Sequence, residues 1–234
     1  MSVPRMNMVS VIIPTYQERD NIESAITGIA EAMGTRRFEI IVVDDNSPDG
    51  TADSASGLAE RFPVRVLRRE GKLGRGAAVR FGFECAAGGI VGVMDADLQH
   101  PPATAVALIH EIEQGHDIAV ASRYVRGGGI EDWPLSRRLI SRAASLLTRM
   151  LTSVRDSGSG CFFARKAIIE EMRSDTEGYK TLLCLLADGH YSSVKEIPYI
   201  LRPRRHGKSK LDGKEVIRYL RLLCRLHWRR LKRN

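Results

Sequence analysis

Two carboxylates stand one residue apart in "VMDADLQHPP" (93–102), directly after an apolar run. Like charges this close repel and are costly to bury. Asp95 and Asp97 therefore either lie on a solvated turn or hold something positive. Mg2+ or Mn2+ takes carboxylate and neutral oxygen donors and fills its shell with substrate phosphate oxygens. Gln99 could supply a neutral oxygen two residues on. A metal held there would neutralise a diphosphate, whose charge grows as it departs. His100 reads as a loop histidine, and Pro101-Pro102 suits the first turn of a helix. Asp-x-Asp pairs are frequent by chance, so the weight of this one depends on what positions it.

The positioning elements alternate. Strand patterns occupy 9–13 ("VSVII"), 38–43, 64–67, 90–94 and 117–121, and several are rich in β-branched residues. Between them lie helical patterns: one after Asn21, then 51–62, 74–87 and 101–113. This βαβαβαβαβ rhythm implies an α/β fold with a doubly wound, mostly parallel sheet covered on both faces. Such sheets bind ligands outside the carboxyl ends of their strands. The residues after the five strands are "PTYQERDN", "DDNSPDGT", "REGKLGRGAA", "DADLQHPP" and "SRYVRGGG". Any one could be a solvated loop, with Thr51 capping the following helix; five polar strand ends together make a site. No GxGxxG follows the first strand, which counts against a dinucleotide fold, and "GKLGRG" does not complete a Walker loop.

After Ser122 the rhythm changes. An amphipathic helix is expected over 134–151, a short extended segment over 158–164, helices over 166–173 and 178–188, and a strand over 193–201. A final helix runs from 214 to about 231. The four cysteines form no CxxC and suggest neither zinc nor a disulfide framework. No apolar run approaches a membrane span, and no secretory signal is seen. The net charge is +8, yet residues 202–234 hold thirteen Lys and Arg against two acids, leaving −3 elsewhere. The basic tail suits an anionic membrane surface, an anionic substrate or nucleic acid. In the last helix Val216, Ile217, Leu220, Leu223, Cys224 and Leu231 share one face. Arg218, Arg221, Arg225, Arg229 and Lys232 share the other, with Trp228 near the boundary. That pattern fits either a helix packed on the core or one lying in a membrane interface.

"VSVIIPTYQERDNI", "VVDDNSPDGTAD", "GKLGRGAAV", "MDADLQHPP", "SRYVRGGG" and "RRHGKSKLDGKEVIRYL" occur in this order across nearly the whole chain. Together they resemble the dolichol- or polyprenol-phosphate mannose synthases, inverting GT-A enzymes of glycosyltransferase family two. The resemblance implies a GT-A catalytic domain over 1–212 and a basic amphipathic helix over 213–234. It implies mannose transfer from GDP-mannose to a polyprenyl or dolichyl phosphate, with a divalent metal, Mg2+ or Mn2+, and inversion. Pro14, Tyr16, Glu18, Val43 and Asp45 would contact the guanosine. Asp95, Ala96 and Asp97 would meet the donor, with Asp95, Asp97 and Gln99 around the metal. Arg123, Arg137 and Ser141 would hold the acceptor phosphate, and Arg204 and Lys210 would close over the donor phosphates. Asp97 and Arg123 would carry the catalysis. The expected location is the cytoplasmic face of a membrane, bound peripherally, with a separate membrane-anchoring protein as a further partner. "PTYQE", "SGSGCFFARK" and Lys208 depart from the usual motifs; they bear on the donor sugar more than on the reaction class.

The chemistry is coherent without the resemblance. A phosphate acceptor is already an anion and needs no strong base, so the protein must position two anions and neutralise a leaving diphosphate. A sister transferase using a UDP-sugar such as UDP-glucose is the alternative. A nucleic-acid-binding role would explain the basic tail but neither the paired acids nor the strand ends, and no nucleic-acid motif is visible.

Overall fold

A computed structural model describes residues 5–171, 180–204 and 213–232 of the chain. The first half holds β1 (Arg5–Thr15), α1 (Arg19–Met33), β2 (Arg37–Asp44), α2 (Thr51–Ser56), β3 (Val64–Arg68), α3 (Arg75–Cys85), β4 (Gly88–Val93), α4 (Pro102–Glu113) and β5 (Ile118–Ser122). The second half adds β6 (Gly129–Ile130), α5 (Leu135–Thr148), β7 (Phe162–Arg165), α6 (Lys166–Glu170), α7 (Thr181–Asp188), β8 (Val194–Pro198), β9 (Ile200–Leu201) and α8 (Gly213–Leu231).

Seven strands form one sheet in the order β3-β2-β1-β4-β7-β5-β8. All neighbours are parallel except β7, which runs antiparallel to both β4 and β5. The expected run of five parallel strands is thus interrupted. The short "FFAR" segment enters between the fourth and fifth strands, where its Phe162 and Phe163 are fully buried. Gly92 on β4 makes this possible: a β-carbon there would lie 2.1 Å from the Phe163 ring.

Side chains alternate across the strands. Val9, Val11 and Ile13 of β1 join a core with α1 and α4, while Ile12 joins the opposite core with α3, α6 and α7. Two expectations about the second helix are corrected. The helix after Asp49 ends at Ser56, short of residue 62, and its N-cap is Gly50 in the left-handed region; the Thr51 hydroxyl instead donates to Asp49. The four cysteines are all free.

The last helix departs most from its pattern. A third cluster buries Leu222, Leu223 and Leu226 of α8 against Leu151, Leu183 and Cys184. Of the described residues on the apolar face seen in the sequence, only Leu223 is in that contact; Ile217, Leu220, Cys224 and Leu231 are exposed. Helix α8 therefore has a packed side and an open apolar side. Helix α5 also carries open apolar residues, with Leu135, Leu139, Ile140, Leu146 and Leu147 all exposed. These five fall within one arc at helical spacing. No helix among the described residues is long and apolar enough to cross a membrane.

Candidate active site

The carboxyl ends of β1, β2 and β4 meet where the chain order reverses, between β1 and β4. Asp44 and Asp45 at the end of β2 serve different ends. Asp44 accepts from Thr15 (2.9 Å) and from the backbone and hydroxyl of Ser47 (2.8 and 2.6 Å). Ser47 in turn accepts from the Gln17 amide, and Thr51 from the Glu18 amide. The loops after β1 and β2 are thereby stitched together. Asp45 turns the other way, pairing with Arg69 (2.7 Å) and accepting from the Gly74 amide (2.7 Å). Lys72 of that third loop lies 4.0 Å over the Tyr16 ring. Pro14, Tyr16, Glu18, Val43 and Asp45 thus belong to one cluster of strand ends. Val43 is fully buried, so backbone is what it can offer there.

Asp95 and Asp97 follow β4. Arg75, at the start of α3, donates to Asp95 (2.8 Å) and to the Gly160 carbonyl (3.1 Å). Gly160 leaves room for this pair: a β-carbon would lie 2.3 Å from an Asp95 carboxylate oxygen, so Asp95 would have to shift. Asp97 faces Arg204 (3.2 Å) and accepts from the Gln99 amide (3.2 Å). The Gln99 side chain donates to the Arg202 carbonyl (2.9 Å), fixing it beside the late basic segment. Burial is the largest influence on the Asp95 carboxyl and would raise it, but Arg75, His100 and Arg204 together hold that group below its usual value. Burial, followed by the charge on Asp95, pushes Asp97 up to about 6. A buried acid raised by its neighbour lacks positive charge, and a divalent cation supplies it. Among the described residues no three His, Cys, Asp or Glu side chains are placed to hold a metal by themselves. A metal here would draw its remaining oxygens from Gln99, a diphosphate and water, as Mg2+ does in phosphate sites. Ala96, between the acids, is buried.

His100 stands in the loop between β4 and α4, as expected, but that loop is not solvated there. The residue is buried, stacks on Tyr199 (ring centroids 4.8 Å apart) and lies 3.0 Å from the Tyr199 hydroxyl. Burial drives its pKa down to about 4, against the charge of Asp95 beside it.

Arg123 follows β5. Its Nε and one terminal nitrogen each donate to Asp156 at 2.7 Å, and its backbone amide donates at 2.9 Å. Asp156 is completely buried; burial works to lower the Arg123 pKa, but the hydrogen bonds and charge of Asp156, with Tyr199 and Tyr124, raise it. Arg137 on α5 stacks 3.8 Å over Trp133, and the Tyr124 hydroxyl donates to Ser141 (2.6 Å). Arg123, Arg137 and Ser141 line one cavity of about 450 Å³, whose other walls include Ile140 and Leu147 of α5 and Leu220 of α8. A smaller cavity of about 170 Å³ adjoins Asp95 and Arg75. Lys180 lines both. Lys210 lies outside the described residues.

Arg75, Asp156, Trp133 and Lys180 escape a reading of sequence alone. Arg75 had a signal, an arginine among glycines after a strand. Asp156 had little, being one acid in a turn-rich stretch.

A family model described as glycosyl transferase family 2 matches residues 10–173. The chain belongs to that family. It is 45% identical over 222 residues to a dolichol-phosphate mannosyltransferase of Pyrococcus furiosus, covering 93% of this chain and 63% of that one. It thus spans under two thirds of that relative's length. It is 37% identical to a dolichol-phosphate mannosyltransferase of Saccharomyces cerevisiae, covering 93% of this chain and 86% of that one. It is 35% identical to a polyprenol monophosphomannose synthase of Mycolicibacterium smegmatis, covering 88% and 82%. In fold it is similar to glucosyl-3-phosphoglycerate synthase of Mycobacterium tuberculosis, solved with Mg2+ and UDP. The TM-score is 0.70 at 20% identity, over 94% of this chain and 79% of that one. That similarity carries the GT-A-type α/β architecture of this family member.

Proposed function

We propose that this glycosyl transferase family 2 member transfers mannose from GDP-mannose to a polyprenyl or dolichyl phosphate with inversion. The observation that carries it is the 450 Å³ cavity, with Arg123, Arg137 and Lys180 among its lining and Ile140, Leu147 and Leu220 on its walls. A phosphate attached to an apolar chain matches both parts. The names of the relatives at 35–45% identity favour mannose over glucose.

In this reading the loops carrying Pro14, Tyr16, Glu18, Val43 and Asp45 take the guanosine, and Asp95, Ala96 and Asp97 face the donor diphosphate. Asp95, Asp97 and Gln99 would hold Mg2+ or Mn2+. When bound, the metal offsets the charge that builds on the departing diphosphate. Arg123 and Arg137 hold the acceptor phosphate, with Ser141 beside it, and Arg204 and Lys210 serve the donor phosphates. An acceptor oxygen bonds to the anomeric carbon as the bond to the diphosphate breaks, and the electron pair leaves with GDP. The buried Asp156 keeps Arg123 ionised and pointed, so the positive charge is in place before the reaction begins.

We assign 1–212 to catalysis and 213–234 to the membrane surface, with the open apolar sides of α5 and α8 dipping into the interface and the Arg-rich tail meeting anionic headgroups. The lipid-side cavity wall is built from those same two helices. The test is radiolabelled GDP-mannose with polyprenyl phosphate, with and without EDTA, beside UDP-glucose. Metal-dependent label in the lipid phase from GDP-mannose alone is expected; transfer from UDP-glucose alone would replace the donor assignment.

A further inference from the structure

We propose that Lys180 is a third cation on the acceptor phosphate, placed where that phosphate meets the donor sugar. The inference rests on the acceptor reading of the larger cavity and adds a residue to it.

Lys180 immediately precedes α7 and lines both the cavity of Arg123 and Arg137 and the smaller one beside Asp95. Among the described residues only Gly158 also lines both. A β-carbon at Gly158 would lie 3.7 Å from the Lys180 ammonium, so the charge sits over the segment dividing the two spaces. In an in-line transfer the attacking phosphate oxygen approaches the anomeric carbon across that boundary.

The surroundings are prepared for an anion. Asp95 pairs with Arg75 and Asp156 with Arg123, and both acids also act on the Lys180 ammonium. Burial, with the charges of Arg75 and Arg123, brings Lys180 down to about 8. Burial, with Arg204 and Arg123, lowers Arg137 as well. Cations gathered this closely oppose one another, and a phosphate entering among them relieves that opposition. Arg123 has already used its Nε and one terminal nitrogen on Asp156. An ammonium carries three donors on a flexible stem and can follow a phosphate oxygen as it moves toward carbon. Lys180 stays protonated throughout: the acceptor oxygen gains the bond to the anomeric carbon, the diphosphate oxygen takes the electron pair, and no proton is exchanged at this side chain.

The experiment compares full-length wild type, Lys180→Met and Lys180→Arg by calorimetric titration with farnesyl phosphate and, separately, with GDP plus Mn2+. Farnesyl phosphate affinity should fall at least tenfold in Lys180→Met and recover to within threefold of wild type in Lys180→Arg. GDP–Mn2+ affinity should stay within twofold in both, which also shows that the variants are folded. If Lys180→Met does not fold, Lys180→Gln is held to the same criteria. Farnesyl phosphate binding within twofold of wild type in the uncharged variant would overturn the proposal. So would a parallel loss of GDP–Mn2+ affinity, or failure of arginine to rescue. If wild type binds farnesyl phosphate and Lys180→Met does not, yet no mannose moves, the donor reading fails and Lys180 keeps its role. If wild type does not bind farnesyl phosphate, the acceptor reading and the role of Lys180 fall together.

Discussion

Replacing Asp97 by asparagine should make the metal-free protein more stable while removing its activity. Asp97 is buried, and burial plus the charge of Asp95 raises its pKa from the ordinary 3.8 to about 6 even with Arg204 alongside. A carboxyl that titrates higher folded than unfolded binds a proton more readily in the native state. Its contribution to stability is full below about pH 4 and is lost as pH rises through 6. Each pKa unit corresponds to about 1.4 kcal/mol, so ionised Asp97 costs the apo-protein about 2–3 kcal/mol at neutral pH. The asparagine keeps the shape, and its amide oxygen can still accept from the Gln99 amide. Urea unfolding in EDTA should therefore show Asp97→Asn about 2–3 kcal/mol more stable than wild type at pH 7.5. The two should converge at pH 4. In a chain of this length that is a rise in Tm of roughly 5–10 °C. Transfer from GDP-mannose should drop at least ~10²–10³-fold, the usual effect of removing a key electrostatic group. An Asp97→Asn protein no more stable than wild type at pH 7.5 would refute the idea that this carboxylate carries uncompensated charge, and with it the reason for a cation there.

Three further outcomes follow from particular contacts. Asp156→Asn leaves buried Arg123 facing an amide in place of its carboxylate; stability should fall by about 3–5 kcal/mol in urea unfolding, and the KM for polyprenyl phosphate should rise more than that for GDP-mannose. Gly160→Ala places a β-carbon 2.3 Å from Asp95, so initial-rate assays should show at least a tenfold loss with GDP-mannose, whereas Gly129→Ala, with no atom within 4 Å of its added carbon, should stay within twofold. Leu139→Glu with Leu231→Glu puts charge on the open sides of α5 and α8; flotation with anionic liposomes should fall at least tenfold while the GDP affinity is unchanged, and removing residues after Asp212 should also weaken flotation.

Local pattern and global packing contributed differently to what is known of this chain. The first five strands were legible because buried strands need apolar, β-branched runs and their turns need Gly, Asn, Asp and Pro. Asp95 and Asp97 stood out because two acids beside a buried strand require an explanation. The place of β7 was not legible: four residues cannot announce an antiparallel partner, and the space for Phe163 exists only because Gly92 stands opposite on β4. The tertiary structure alone also paired Asp95 with Arg75 and Asp97 with Arg204, and set Asp156 behind Arg123, since these partners are 20, 107 and 33 positions apart. It alone showed that His100 is buried and that α8 packs through Leu222, Leu223 and Leu226, leaving the face with Ile217 and Leu220 open. Sequence periodicity reports that a helix has an apolar side; which apolar side meets protein depends on what the rest of the chain brings to it.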